Sequence, residues 1–90
     1  MSNLPFKEIW ISPDKSIREF SSNSDDEEFK WHFDNEDRII ECEDPNDWKF
    51  QFDNLLPQDI KGKILIPSGT WHRLIKGSGD IKILITRLGK

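Results

Sequence analysis

Gly62-Lys63-Ile64-Leu65-Ile66-Pro67-Ser68-Gly69-Thr70-Trp71-His72 is the stretch on which the fold turns. Gly62 opens an apolar run from a turn, Pro67 ends it, and Gly69 permits the tight return that carries the chain into a second run at residues 70–76. Alternation in that second run puts His72, Leu74 and Lys76 on one side and Trp71, Arg73 and Ile75 on the other. Gly77-Ser78-Gly79-Asp80 then turns the chain into a third run, Ile81 to Leu88. Three strands in quick succession, each separated by turn residues, form an antiparallel arrangement.

The same reading extends upstream. Trp48, Phe50 and Phe52 alternate with Lys49, Gln51 and Asp53, and Asp44-Pro45-Asn46-Asp47 precedes them as a turn. Residues 38–43 make a strand around Ile39 and Ile40. From Glu28 onward Phe29, Trp31 and Phe33 alternate with Lys30, His32 and Asp34, a period of two that predicts a half-buried strand. Residues 21–26 are polar and aperiodic and read as an exposed loop. Ser12-Pro13-Asp14 offers a helix N-cap, a proline at the first helical position and an acid in the first turn, which predicts a short helix reaching Phe20. Glu8-Ile9-Trp10-Ile11 before it is a first strand or an arm. The expected architecture is all-β: a small antiparallel barrel or sandwich at residues 28–90, preceded by a short N-terminal arm and polar loop at residues 1–27. Its interior is expected to hold Trp48, Phe50, Phe52, Ile64, Ile66, Ile83 and Ile85.

Ninety residues suffice for one domain. Only 34% are apolar, but four Trp and six Phe concentrate that hydrophobicity in the alternating runs. No run approaches the ~20 apolar residues of a membrane-spanning helix. MSNLPFKE at the start has no charged-then-apolar signal pattern, so the expectation is a cytoplasmic protein with no membrane association. A single cysteine, Cys42, excludes an internal disulfide and any multi-cysteine zinc site, and it reads as a small buried hydrophobe. The net charge of −4 is uneven: residues 1–47 carry 14 acidic and 5 basic side chains, or −9, and residues 48–90 carry 3 acidic and 8 basic, or +5. The halves are expected to pack together and neutralise each other, and the acidic total argues against nucleic acid despite the aromatics Trp48, Phe50 and Trp71 among the lysines.

The segment from Gly62 to His72 resembles the second signature of the cupin superfamily: glycine, apolar strand, proline, glycine, histidine. Here four residues separate Gly62 from Pro67, where the usual pattern has five. Residues 31–38, Trp-His-Phe-Asp-Asn-Glu-Asp-Arg, stand in the place of the first signature, and the likeness covers roughly residues 28–88. The resemblance implies a jelly-roll fold and, at His72, a histidine pointing into the barrel as a metal ligand. It admits two registers for the first segment. In one, His32 and Asp34 point inward with His72 as ligands for one divalent metal, iron, zinc or manganese, with Arg38 at the usual glutamate position and Glu36 as an alternative ligand. In the other, Trp31 and Phe33 fill the interior.

The mouth is therefore expected to be lined by His32, Asp34, Arg38, Gln51 and His72. An arginine there calls for a carboxylate partner, for which Asp34, Glu36 and Glu41 are at hand, or for an anionic ligand. Three functions follow as expectations: a binding module for a small polar or anionic molecule, a metal-dependent oxygenase or isomerase using His32, His72 and a carboxylate, or an interaction protein with a solid barrel. A homodimer formed by strand addition is expected alongside.

Overall fold

A computed structural model of the chain describes residues 6–23 and 27–89. Eight strands follow in order: β1 (Phe6–Ser12), β2 (Lys15–Ser21), β3 (Asp37–Cys42), β4 (Lys49–Phe52), β5 (Gln58–Asp59), β6 (Gly62–Ile66), β7 (His72–Ile75) and β8 (Asp80–Gly89), with one turn of 3-10 helix at Glu27–Phe29 between β2 and β3. They form a five-stranded sheet ordered β1-β2-β8-β3-β6 and a three-stranded sheet ordered β5-β4-β7, with every pairing antiparallel. The all-β expectation holds in its sandwich form. No ladder joins the two sheets into a closed barrel among the described residues.

Two local expectations are corrected. The predicted helix from Ser12 to Phe20 is a hairpin strand. Ser12 pairs with Lys15 across Pro13 and Asp14, and Ser12 Oγ donates to Asp14 Oδ1 at 2.6 Å, so the Ser-Pro-Asp triplet acts as a turn rather than a helix cap. Residues 15–21 then pair with β8 along their whole length, burying Ser16 and Phe20 on one face. The N-terminal segment is accordingly part of the large sheet from Phe6 onward, not a separate arm; residues 1–5, and residues 24–26 of the expected loop, lie outside the described residues. The predicted strand at residues 28–34 is a 3-10 turn followed by an extended stretch that pairs at one position only, His32 with His72. Trp31 and Phe33 are exposed, so of the two open registers the structure takes the one with His32 and Asp34 directed inward.

Directly paired residues share a sheet face, so the register defines the interior. On the large sheet Phe20 pairs with Ile81, Ile40 with Ile64 and Ile85, and Arg18 with Ile83. The apolar part of this face packs against Trp48, Phe50 and Leu74 of the small sheet, with Ile60 and Ile66 closing the core; Phe52 is only partly buried against it. The same face continues past the small sheet as a polar strip: Glu8, Ser16, Arg18, Arg38 and Arg87. That strip positions the site.

Gly77 marks the closest backbone approach. A Cβ there would meet Asp47 Oδ1 and lie 2.7 Å from both the Asp47 carbonyl carbon and Trp48 Cδ1. The neighbouring turn is held by Asp47, whose two oxygens accept from Ser78 N and Ser78 Oγ at 2.8 Å each. Gly77→Ala is therefore expected to cost about 1–3 kcal/mol by overpacking against backbone, read as a lower urea midpoint with an unchanged slope. A midpoint equal to wild type would show that the 47–48 segment yields freely.

Candidate metal centre

The Pro67-Ser68-Gly69 turn is tied to the loop before β3. Gly69 N donates to Asp34 O at 2.8 Å and Ser68 N to Asp37 Oδ1 at 2.8 Å, with Gly69 at φ +77° as the return requires. One step further, His32 and His72 exchange both backbone hydrogen bonds, at 3.1 and 2.8 Å. Side chains of such a pair project from the same face, and the two imidazole rings meet edge to face with centroids 4.3 Å apart. The flanking residues project the other way and meet directly across the bridge on the surface: Arg73 stacks on Trp31 at 4.6 Å and Phe33 meets Trp71 at 5.0 Å.

Each imidazole has its Nδ1 turned to a backbone carbonyl two residues earlier, His32 to Lys30 O at 2.8 Å and His72 to Thr70 O at 2.7 Å. That arrangement places the proton on Nδ1 and leaves Nε2 as the converging atom, which is how ligating histidines are held. Glu28 supplies a third group. The 3-10 turn brings its Oε2 to 2.7 Å from His32 Nε2. In an extended strand the same two residues would be roughly 13 Å apart. His32 Nε2 is buried and makes no aligned hydrogen bond, so the Glu28 contact is an off-axis ion pair. One donor atom from each of Glu28, His32 and His72 lies within 4.8 Å of the others. Zinc and its neighbours take ligands at about 2.0–2.2 Å, so the three donors are close enough to converge on one ion once their side chains adjust.

Around these three runs a ring of ion pairs. Arg18 bridges Glu28 Oε1 at 2.9 Å and Glu8 Oε2 at 2.8 Å. Glu8 Oε2 also accepts from Ser16 Oγ at 2.7 Å and Arg87 Nη2 at 3.3 Å. Glu36 bonds Arg38 at 2.9 Å and approaches Arg87 at 3.9 Å. Arg38 reaches Asp34 Oδ1 at 3.5 Å, and Asp34 Oδ2 lies 3.4 Å from His72 Nε2. Four carboxylates thus face three guanidiniums, leaving one negative charge before either imidazole is counted. Beneath the ring lies a cavity of about 30 Å³, lined by Glu28, Asp34, Arg38 and His72 above and by Ile and Phe side chains below.

The expected site residues divide accordingly. His32, Asp34, Arg38 and His72 come together. Glu36 joins the ring on the Arg38 and Arg87 side, outside the group that converges on the histidines. Gln51 is not at the mouth: opposite Arg73 in the β4–β7 ladder, its Oε1 accepts from Arg73 Nε and Nη2 at 3.0 and 2.9 Å. Sequence reasoning missed Glu28, which stood only as the first residue of the predicted alternating strand. The available signal was its position four residues before His32. The charge division is partly closed by pairs across the two halves, Arg87 with Glu8 and Glu36.

Burial pushes the His32 pKa down, but the Glu28 carboxylate and the Lys30 carbonyl outweigh it, and the net shift is upward from 6.5. For Glu28 and Asp34 burial acts upward. It is overcome at Glu28 by His32 and Arg18 and at Asp34 by His72 and Arg38, so both fall below their ordinary 4.5 and 3.8. Glu8 is likewise lowered from 4.5, with Ser16, Arg18 and Arg87 overcoming burial. The signs follow by linkage. The raised His32 pKa stabilises the fold fully below pH 6.5, and this is lost as pH rises through the folded pKa. The lowered carboxylates stabilise above about 4.5, and this is lost as pH falls through theirs. In a chelator, the melting temperature is expected to be highest between about pH 4.5 and 6.5 and to fall on both sides, with the alkaline fall reduced in His32→Gln. A melting temperature that climbs from pH 6 to 9 would contradict the Glu28–His32 assignment.

No protein-family model and no curated protein matches the chain. Among solved structures it is similar to the crystal structure of protein NMB1881 from Neisseria meningitidis, with 12% sequence identity, a TM-score of 0.64, and coverage of 99% of this chain and 88% of that one. At that identity the likeness concerns the fold. No helix of the described residues is long and apolar enough to cross a membrane.

Proposed function

We propose that this protein is a small cupin-like β-sandwich that binds one divalent cation through Glu28, His32 and His72. The observation that carries this reading is the convergence of two buried Nε2 atoms, each fixed by an Nδ1 contact to a carbonyl, on a carboxylate that Arg18 holds in place. Two imidazoles and one carboxylate suit zinc, iron or manganese. The residual negative charge of the surrounding ring favours a cation or a proton there. The ion would compete with the proton for His32 Nε2.

Size distinguishes this reading from an organic ligand held inside. The cavity beneath Glu28 and His72, about 30 Å³, has room for no more than a few waters, since one water needs roughly 10–15 Å³ by the same kind of measure. Arg38 is already engaged by Asp34 and Glu36, so it does not await an anion. A bound ion with three protein ligands keeps positions for water and supplies Lewis acidity there. The protein's own residues hold the rings in one tautomer and bury the donors.

The test is titration of chelator-stripped protein with Zn(II), Mn(II) and anaerobic Fe(II), followed by calorimetry and by tryptophan fluorescence, because Trp31 and Trp71 directly adjoin the two histidines. One equivalent of at least one ion is the expected result. Sub-stoichiometric uptake of all three at neutral pH would overturn the proposal.

A further inference from the structure

Of the three donors, Glu28 has the least backbone support. His72 lies in β7 and His32 exchanges two backbone hydrogen bonds with it, whereas Glu28 sits on a single turn of 3-10 helix that belongs to neither sheet. Between that turn and the His32–His72 bridge no strand pairing holds the chain among the described residues. Arg18 grips the carboxylate at Oε1, which fixes the end of the side chain but not the turn beneath it. The next residue fixes the turn. Phe29 packs its ring 5.9 Å from Phe20 and 5.8 Å from Trp48, centroid to centroid and tilted to both, separations typical of favourable aromatic pairs. Lys76 Nζ lies over the same ring at 5.0 Å. Phe20 and Trp48 are themselves buried in the core, so two walls of this socket are firmly placed.

We infer that Phe29 is the positioning residue of the metal centre: its ring, seated between Phe20 and Trp48, sets the rotation of the turn and so aims Glu28 at the two histidines. This deepens the metal reading and rests on it. A 3-10 helix has three residues per turn, so adjacent side chains point about 120° apart. With Phe29 directed into the core, Glu28 has one direction left, toward His32 on one side and Arg18 on the other. A turn released from the socket opens locally, as segments with few buried contacts do, and the ion then bears the entropy cost of ordering it. The histidines are held by different contacts, the bridge and the carbonyls of Lys30 and Thr70. Loss of the Phe29 ring therefore removes one ligand and spares two. Ile64 provides the contrast: it is buried in the same core on β6, three strands from Phe20 in the large sheet, and lines no part of the cavity at the site.

The test is a graded series, Phe29→Leu, Phe29→Val and Phe29→Ala, beside Ile64→Ala, in the full chain. Zn(II) is titrated by calorimetry and Co(II) by its visible spectrum, which reports the donor set. Affinity is expected to fall with side-chain size, close to wild type for leucine and down about 10–100-fold for alanine, the range for loss of an orienting partner. The Co(II) spectrum of Phe29→Ala is expected to match that of Glu28→Gln, because both lack the carboxylate. Ile64→Ala is expected to keep the wild-type affinity and spectrum despite a lower urea midpoint. Where the alanine variant fails to fold, the valine variant reads the same effect. In metal-free protein, the nuclear Overhauser contact between the Glu28 side chain and the His32 ring is expected in wild type and in Ile64→Ala, and is expected to vanish in Phe29→Ala. Persistence of that contact without the Phe29 ring would overturn the inference. So would wild-type affinity in the valine and alanine variants, or an equal loss in Ile64→Ala. A wild-type chain that binds neither ion defeats the metal reading, while the metal-free contact still decides what Phe29 does.

Discussion

Trp48→Ala is expected to lower the unfolding free energy by about 3–5 kcal/mol, the range for truncating a buried aromatic. Trp48 has no exposed surface and stands at the head of β4 between Phe20 of the large sheet, 6.4 Å away between ring centroids, and Phe29 of the 3-10 turn, 5.8 Å away. Phe20 and Phe29 also meet directly at 5.9 Å. One side chain therefore joins both sheets and the turn that carries Glu28. At roughly 0.05–0.15 kcal/mol per residue, a chain this short has about 5–13 kcal/mol in all, so the substitution removes about a quarter or more. Trp48→Phe separates packing from polarity. The indole N–H is buried with no acceptor among the described residues, and an unsatisfied donor costs about 1–3 kcal/mol. Removing it offsets part of the lost volume, so the phenylalanine variant is expected to lose only about 1–2 kcal/mol. Urea titrations with a common slope would read both values. A Trp48→Ala loss below about 1 kcal/mol would show that the sheets are held together elsewhere.

The alternating aromatics made this core legible in advance. Trp48, Phe50, Ile64, Ile66, Ile83 and Ile85 are interior as expected because each stands in a run whose period of two has a single reading. Residues 12–20 failed for the opposite reason. Ser-Pro-Asp serves equally as a helix cap or a hairpin turn, and only the seven-residue ladder with β8, set by residues 80–86, decides between them. Residues 28–34 show a subtler failure. The alternation correctly separated His32 and Asp34 from Trp31 and Phe33, yet one bridging pair, not a ladder, enforces it. Barrel closure was not legible at all, since it depends on whether strands from different sheets meet at their edges.

The site divides along the same line. His72 was legible because a proline–glycine turn fixes where it enters its strand, whereas alternation alone favoured the aromatic face of Phe29, Trp31 and Phe33 as the interior, and the inward register of His32 was one of two that the resemblance left open. The polar ring was not legible. Glu8, Arg18 and Arg87 come from β1, β2 and β8, and their meeting depends on a register that brings Arg18 opposite Glu8 and Ile83, which no local pattern encodes.

Substitutions at the metal centre discriminate the Glu28 set from the set the sequence suggested. Loss of an orienting partner typically costs 10–100-fold in metal affinity, and loss of a direct ligand is expected to cost at least the upper end of that range. His32→Ala, His72→Ala and Glu28→Gln are therefore each expected to weaken binding by about 100-fold or more. Asp34→Asn is expected to weaken it only about 10-fold, because Asp34 stands 3.4 Å from His72 Nε2 and 3.5 Å from Arg38 as a neighbour of the cluster rather than a member. Arg18→Met is expected to resemble Asp34→Asn, since Arg18 fixes the Glu28 oxygen that faces away from the histidines. The sequence expectation of His32, Asp34 and His72 as ligands predicts the reverse order for the two acids. Calorimetric titration of the five variants beside wild type, with circular dichroism to confirm that each is folded, reads the order directly. Glu28→Gln with wild-type affinity and Asp34→Asn with none would move the third ligand to Asp34. The 3-10 turn would then matter only for the ion pair that His32 makes when no metal is bound.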